Sequence, residues 1–199
     1  MTTQTLNRFT ICPASVSEAQ DLANLAVMAS DGLTLKTWES MRNADETALE
    51  VGRRRAARQT GSFSYRNADI AMQNRRVISA IISYPLELDS AAVSPDAVPP
   101  VFRPLFFLEE KAFGSWNINI LATYPEARGQ GAAEELLTDV EGRAKRAGFT
   151  KLSLIVRDAN PARRLYEKIG FRETARAPMI KEGFELSGKN WILMFKEIA

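Results

Sequence analysis

A short stretch in the second half of the chain, residues 118–137, constrains the fold more than any other part of the sequence. It begins with a mostly apolar run that predicts a strand ending before Pro125. It leads into a helix whose apolar positions recur at helical spacing: Leu136, Leu137, Val140, Ala144 and Ala147. Gly148 suits the position that follows a helix end. We therefore predict a strand, a tight glycine-containing loop and a helix.

The loop between this strand and this helix, residues 128–133, has the properties of a phosphate site. The first amides of a helix have no partner inside the helix, and the helix dipole makes that end positive. The spacing excludes two common phosphate motifs. No lysine follows the glycines as in a P-loop, and Glu134 stands where a dinucleotide fingerprint needs its third glycine. The sequence therefore predicts a phosphorylated ligand bound in another way.

The motif that does match is Arg-x-x-Gly-x-Gly/Ala, formed by Arg128, Gly131 and Ala133. It resembles the pyrophosphate-binding motif of the GNAT superfamily, the acetyl-CoA-dependent N-acetyltransferases. Residues 160–171 resemble a later helix of the same family, which ends in Leu-Tyr-x-x-x-Gly-Phe. The family commonly has two residues between the asparagine and the alanine of that segment, whereas this chain has only Pro161. Two motifs in the right order make the resemblance specific.

The remaining segments predict the order β-α-α-β-β-β-α-β-α-β-β, which is similar to the GNAT arrangement over nearly the whole chain. We predict helices at residues 13–29 and at 33–51, the latter continuous or interrupted near Asn43. Strands are predicted at residues 64–72 and 76–84, followed by a proline-rich connection with one short helix near residues 106–111. The expected fold is an α/β, mixed and mostly antiparallel sheet of about seven strands with helices on both faces, in a single domain covering residues 1–199.

Composition sets limits on partners and chemistry. The 199 residues carry a net charge of only +2, which gives no case for nucleic acid or a membrane surface as the main partner. No signal-peptide pattern opens the chain, and Cys12 is its single cysteine, so we expect a cytoplasmic protein. The absence of histidine excludes histidine general bases and the usual zinc sites, and we expect no metal.

The chemistry implied by the resemblance is direct acetyl transfer from acetyl-CoA to a primary amine. The pantetheine arm would pair with the central strand through main-chain groups, and a main-chain N–H there would polarise the thioester carbonyl. Asn160 would contact the pantetheine or simply cap its helix, and Tyr166 would protonate the CoA thiolate or simply pack in the core. The residues assigned to acetyl-CoA are Leu121, Ala122, Thr123, Arg128, Gly129, Gln130, Gly131, Ala132, Ala133 and Asn160.

The general base, the acceptor and the assembly state are less constrained. A water chain, or Glu109 or Glu110 ahead of the central strand, is offered as the base. The acceptor is a small-molecule or peptide amine, and a homodimer stays open. Two further hypotheses are a non-catalytic acyl-CoA-binding or sensing domain on the same scaffold, and an interaction protein that has lost the ligand. The presence of both motifs, at residues 128–133 and 160–171, favours the hypothesis of an active enzyme.

Overall fold

The computed structural model describes residues 9–87 and 98–198. The strands are β1 Thr10–Pro13, β2 Ala68–Gln73, β3 Arg76–Leu86, β4 Ser115–Thr123, β5 Lys151–Arg157, β6 Arg172–Pro178 and β7 Asn190–Glu197. The helices are α1 Ala19–Ala29, α2 Leu33–Glu39, α3 Ala48–Ala56, α4 Arg103–Glu110, α5 Ala132–Arg146 and α6 Arg163–Lys168.

The strands form one sheet in the order β1-β2-β3-β4-β5-β7-β6. Neighbours β4 and β5 run parallel, whereas β1 with β2, β2 with β3, β5 with β7 and β6 with β7 run antiparallel. This confirms the predicted α/β class and a mixed, mostly antiparallel sheet of seven strands. The chain divides into two compact units, which we describe separately. The first unit comprises Met1–Ile82 and Ile120–Asp139, and the second comprises Ser83–Asn119 and Val140–Ala199.

The first unit shows why its helices begin and end where they do. Ser15 forms a capping box with Glu18 at the turn that leads into α1. Asp31 and Gly32 both have positive φ, at 48° and 83°, and end that helix as predicted. The predicted helix at residues 33–51 is interrupted. It forms α2 and α3, because Thr47 starts α3 with a capping box of its own.

A tryptophan packs α2 against α3. Trp38 is 3% exposed, and its ring lies so close to Gly52 on α3 that a Cβ there would overlap it. On its other side the ring meets Phe63, with 5.4 Å between ring centroids. The arginines at residues 53–55 form the last turn of α3, and the exposed Arg54 pairs with Glu46.

The hairpin of β2 and β3 starts later than predicted. Residues 64–67 are not strand, because Tyr65–Asn67 forms a 3₁₀ turn capped by the Ser64 hydroxyl. The strands are joined by Asn74 and Arg75, whose φ values of 49° and 63° are those of a tight two-residue hairpin turn. The hairpin itself was correctly predicted.

The second unit has its core around β5 and β7, where Leu152, Leu154, Ile192, Leu193 and Met194 are buried. The short helix predicted near residues 106–111 is α4, which begins earlier, at Arg103. Residues 88–97 of the proline-rich connection lie outside the described residues. Helix α6 is shorter than the predicted residues 160–169, because the amides of Arg163 and Arg164 bond three residues back to Asn160 and Pro161 in a turn. Among the described residues, no helix is long and apolar enough to cross a membrane.

Candidate functional site

The predicted loop lies in the first unit, between the end of β4 and the start of α5. A 3₁₀ turn, Pro125–Ala127, leads into it. Gly129 and Gly131 have φ values of 74° and 90°, a conformation that side-chain-bearing residues rarely adopt. A Cβ built on either glycine would meet no atom within 4 Å. The glycines are therefore required by the backbone conformation, and the space above them is open to a ligand.

The amides of this loop are available to an anion. The first backbone bond into the helix is from the Glu135 amide to the Gly131 carbonyl, at 3.1 Å. Within the part of the chain that the structure describes, the amides of residues 129–133 donate to no protein acceptor. They stand at the positive end of a 15-residue helix. Consecutive free amides at a helix start are the arrangement that binds anions in other proteins, and the predicted phosphate site stays a prediction.

Side chains brace the loop on both sides. The exposed Arg128 donates from Nε to the Thr123 carbonyl at 3.2 Å, and Gln130 donates to the Glu126 carbonyl at 3.4 Å. Gln73, at the end of β2, donates to Gln130 Oε1 at 3.2 Å. The loop is therefore tied to the strand before it and to the β2–β3 hairpin.

The end of β4 presents its main chain in alternating directions. The Ala122 carbonyl accepts from Ser79 Oγ at 2.8 Å, and the Tyr124 amide donates to the Ile78 carbonyl on β3 at 2.9 Å. Because main-chain groups alternate along a strand, those of Leu121 and Thr123 point to the other edge. Of the three strand residues assigned to the ligand, Leu121 and Thr123 therefore have the orientation needed for pairing. The Ala122 carbonyl is occupied by Ser79 Oγ, and the Thr123 carbonyl accepts from Arg128 Nε, so the Thr123 amide is the group left for pairing at that residue.

Asn160 lies in the second unit, in the turn between β5 and α6. Its Oδ1 accepts from the Ala162 amide at 2.9 Å and so caps the turn that precedes α6. Asn160 is not the N-cap of α6 itself, because the helix begins only at Arg163, after Ala162. Its Nδ2 makes no hydrogen bond to any other described residue. The capping role and the ligand-contact role use different atoms of the same amide, so both can hold together.

Tyr166 lies in the same unit and is 7% exposed. Its ring packs edge-on against Phe171, with 5.9 Å between centroids, which agrees with the core alternative. Its hydroxyl has no hydrogen-bond partner in residues 9–87 and 98–198, and it is not among the fully buried side-chain atoms that lack a partner there. Desolvation raises the pKa of this phenol to about 12. The phenol stays protonated at neutral pH but is a weaker acid than an ordinary tyrosine.

The two glutamates offered as the general base differ in environment. Burial raises the pKa of the Glu109 carboxyl, whereas Glu110 is exposed. A raised carboxyl pKa is closer to the value that a general base needs at neutral pH. The difference favours Glu109 of the pair.

Sequence reasoning missed two residues that support the loop. Ser79 contacts both the Ala122 carbonyl and the Thr123 hydroxyl, each at 2.8 Å. The sequence feature that could have indicated Ser79 is the presence of a serine within the apolar run of β3. Tyr124 donates from its hydroxyl to Asp21 on α1 at 2.7 Å, and desolvation together with this bond raises its pKa to about 12. No local pattern links residues so far apart in sequence.

Comparison with solved structures shows which fold this is. A crystal structure of an acetyltransferase matches with a TM-score of 0.66 at 20% identity, covering 96% of this chain and 100% of that one. An N-acetyltransferase from Staphylococcus aureus Mu50 matches with a TM-score of 0.64 at 20% identity, covering 94% and 99%. The ribosomal-protein-S18-alanine N-acetyltransferase from Escherichia coli matches with a TM-score of 0.57 at 16% identity, covering 96% and 94%. The fold is shared by acetyltransferases.

A family model assigns the central part of the chain. Residues 110–188 match the acetyltransferase (GNAT) domain. No curated protein matches the chain. The matched segment contains β4, the anion-binding loop, β5 and α6, so it includes both motifs singled out in the sequence. Residues 110–188, less than half of the chain, are therefore similar to the GNAT domain of acetyltransferases, and the seven-stranded sheet extends beyond them on both sides.

Proposed function

We propose that this protein is an N-acetyltransferase that transfers the acetyl group of acetyl-CoA directly to a primary amine of a small molecule or peptide. The anion-binding loop is the observation that supports this most strongly. The free amides of residues 129–133 suit the pyrophosphate of CoA, since two adjacent phosphates require several donors at the positive end of a helix. The exposed guanidinium of Arg128 adds a positive charge at the same loop.

The pantetheine arm of CoA carries amide groups that pair like a β-strand. Leu121 supplies main-chain groups directed away from β3 for this pairing, and Thr123 supplies its amide, because its carbonyl already accepts from Arg128 Nε. Asn160 supplies Nδ2 as a donor to a pantetheine carbonyl. One main-chain N–H of β4 then polarises the thioester carbonyl as charge develops on its oxygen. These assignments explain why the chain keeps an unpaired Asn160 Nδ2 beside a capping Oδ1.

The reaction is one acyl transfer. The neutral amine attacks the thioester carbonyl, the C–N bond forms, and the C–S bond breaks with its electrons on the CoA sulfur. Tyr166 gives its proton to that thiolate, and the amine loses a proton to Glu109 or to a water chain. The high pKa of Tyr166 keeps the phenol protonated before transfer, although it makes the proton transfer to sulfur uphill.

The role of the loop in CoA binding is tested by replacing a glycine with glutamate at each end of α5. Gly131→Glu places a negative charge among the free amides and should abolish measurable CoA binding. Gly148 is the control, because its φ of 86° is close to the 90° of Gly131 and a Cβ there also meets no atom within 4 Å. Gly148→Glu should therefore cause similar backbone strain but leave CoA affinity within about twofold. Calorimetric titration of both folded variants measures this. Unchanged affinity in Gly131→Glu would remove the loop from the proposal.

A second candidate is an acyl-CoA-binding domain without turnover. The raised pKa of Tyr166 and the lack of any hydrogen bond to its hydroxyl favour this candidate, because they leave the proposed acid weak. Binding of acetyl-CoA without release of free thiol over a broad amine panel would select it. Release of thiol with any amine would select the enzyme.

A further inference from the structure

The last residues of β5 and the start of β7 are joined by a dense set of hydrogen bonds within the second unit. One Asp158 carboxylate oxygen accepts from the Lys189 amide at 2.9 Å. The other accepts from the amide and the side chain of Asn190, both at 3.0 Å. The Asp158 amide in turn donates to the Asn190 carbonyl at 2.9 Å. Asp158 therefore uses its main chain and both oxygens on one short segment.

The neighbouring residue reinforces the same connection. Arg157, the last residue of β5, is 4% exposed, and its guanidinium donates to the carbonyl of Ser187 at 3.0 Å and to its hydroxyl. Gly188, between these contacts, has a φ of 96°, and a Cβ there would overlap the Asp158 carboxylate. The segment at residues 187–190 is thus fitted closely to the Asp158 side chain.

The turn that follows Asp158 carries Asn160. The Asn160 amide donates to the Arg157 carbonyl at 3.0 Å, and Arg163 donates to the Asp158 carbonyl at 3.4 Å. Only one residue separates Asp158 from Asn160, so a shift of Asp158 changes the direction of the Asn160 side chain. Desolvation opposes ionisation of Asp158, but the bonds from Lys189 and Asn190 outweigh it and hold the pKa of this carboxyl below its usual value. The carboxylate is therefore present at neutral pH.

We propose that Asp158 is a positioning residue, whose carboxylate fixes the turn so that Asn160 Nδ2 is aimed at the pantetheine arm of CoA. This rests on the proposed function. Asp158 itself contacts no ligand in this proposal. Its role is to join the start of β7 to the turn that carries the contacting amide.

The test compares CoA with phosphoadenosine diphosphate, the nucleotide half of CoA, which lacks pantetheine. Asp158→Ala should weaken CoA binding about three- to tenfold, the value of one neutral hydrogen bond, and leave the nucleotide half unchanged. Asp158→Asn keeps one acceptor oxygen, so its affinity for CoA should lie between those of the parent and of Asp158→Ala. Asp139→Ala is the matched control, since Asp139 is exposed on α5 and its side chain makes no hydrogen bond or ion pair with other described residues.

The Gly188→Ala variant disturbs the same contact, between the Asp158 carboxylate and the segment at residues 187–190, by a change in that segment. It should weaken CoA binding in the parent, where its Cβ displaces the Asp158 carboxylate. In an Asp158→Ala background it should weaken CoA binding less, because the overlap with the carboxylate is gone and only the strain of the positive φ and the Ala159 contacts at 3.2 and 3.3 Å remain. Additive effects would overturn the proposal. Equal weakening of the binding of CoA and of phosphoadenosine diphosphate would also overturn it. The same holds if the Asp158 and Gly188 variants melt like the parent and bind CoA as tightly. Failure of the parent to bind either ligand would overturn the proposed function as well, whereas selective loss of CoA affinity supports both.

Discussion

The proposed acid catalysis depends on one residue, Tyr166, and on the pKa of its hydroxyl. From the sequence, Tyr166 had the pKa of an ordinary tyrosine, ~10, close to a thiol at ~8.5. In the structure its pKa is about 12, because burial desolvates the phenol. The gap in pKa between acid and thiolate is wider, so a smaller part of the barrier is relieved by proton transfer.

We expect Tyr166→Phe to lower kcat by about 10²-fold, the lower end of what a general acid contributes. CoA affinity should hardly change, because the ring keeps its contact with Phe171. Tyr65→Phe is the control, since it removes an exposed hydroxyl bonded to Gln59 at 3.0 Å. Steady-state and burst kinetics at saturating acetyl-CoA measure the effect. A kcat within a few-fold of the parent, with no pre-steady-state burst and therefore with chemistry limiting turnover, would make Tyr166 a core residue only.

At the scale of whole elements, glycines on two helices have opposite roles. Gly52 on α3 faces the buried Trp38 ring, which has no room for another carbon atom. Gly142 lies within α5, and the nearest atom to a Cβ there is Arg146 Nη1 at 3.4 Å, the end of a flexible side chain. Gly52→Ala should destabilise the protein by about 1–3 kcal/mol through overpacking. Gly142→Ala should stabilise it by about 0.5–1 kcal/mol through better helix propensity.

Urea unfolding of the two alanine variants measures both free energies of unfolding. If Gly52→Ala were neutral, α2 would be able to move away from α3 without loss of core contacts. If Gly142→Ala were destabilising, the Arg146 contact would matter more than the backbone. The sequence alone does not distinguish these glycines, since each stands within a helical pattern.

Element ends that depend on local chemistry were predicted well. Asp31 and Gly32, Gly148 and Gly170 end their segments as expected, because a left-handed backbone position favours glycine regardless of tertiary contacts. The loop at residues 128–133 was predicted for the same reason. The start of β2 and the length of α6 were not, because a serine-capped turn and a three-residue turn compete locally with strand and helix.

The direction of main-chain groups at the candidate site could not be predicted. It depends on which residue of β4 faces Ser79 on β3, and a shift of one residue would exchange Ala122 for its neighbours. The environment of Tyr166 depends on burial by residues distant in sequence. Whether residues 1–199 act as a single domain stays a prediction.

The behaviour of the whole molecule at high pH follows from two tyrosines. Tyr124 and Tyr166 both have a pKa of about 12 in the folded protein, against about 10 in an unfolded chain. A raised pKa means that the folded state holds protons that the unfolded state has lost between pH ~10 and ~12. The stability linked to these groups is therefore fully present below pH ~10 and is lost as the pH rises through ~12.

We therefore expect the free energy of unfolding to fall steeply above pH ~10, with Tyr166 contributing a slope of at most about 1.4 kcal/mol per pH unit. Tyr124 is more exposed, so solvent screening makes its contribution smaller. Tyr166→Phe should make the alkaline slope shallower, and Tyr124→Phe should do so to a lesser extent. Urea titrations from neutral pH to pH ~11 measure the slopes, and tyrosinate absorbance reports the ionisation directly. An unchanged slope in Tyr166→Phe would show that its phenol ionises in the folded protein as it does in the unfolded chain. The proposed acid would then be as strong as an ordinary tyrosine.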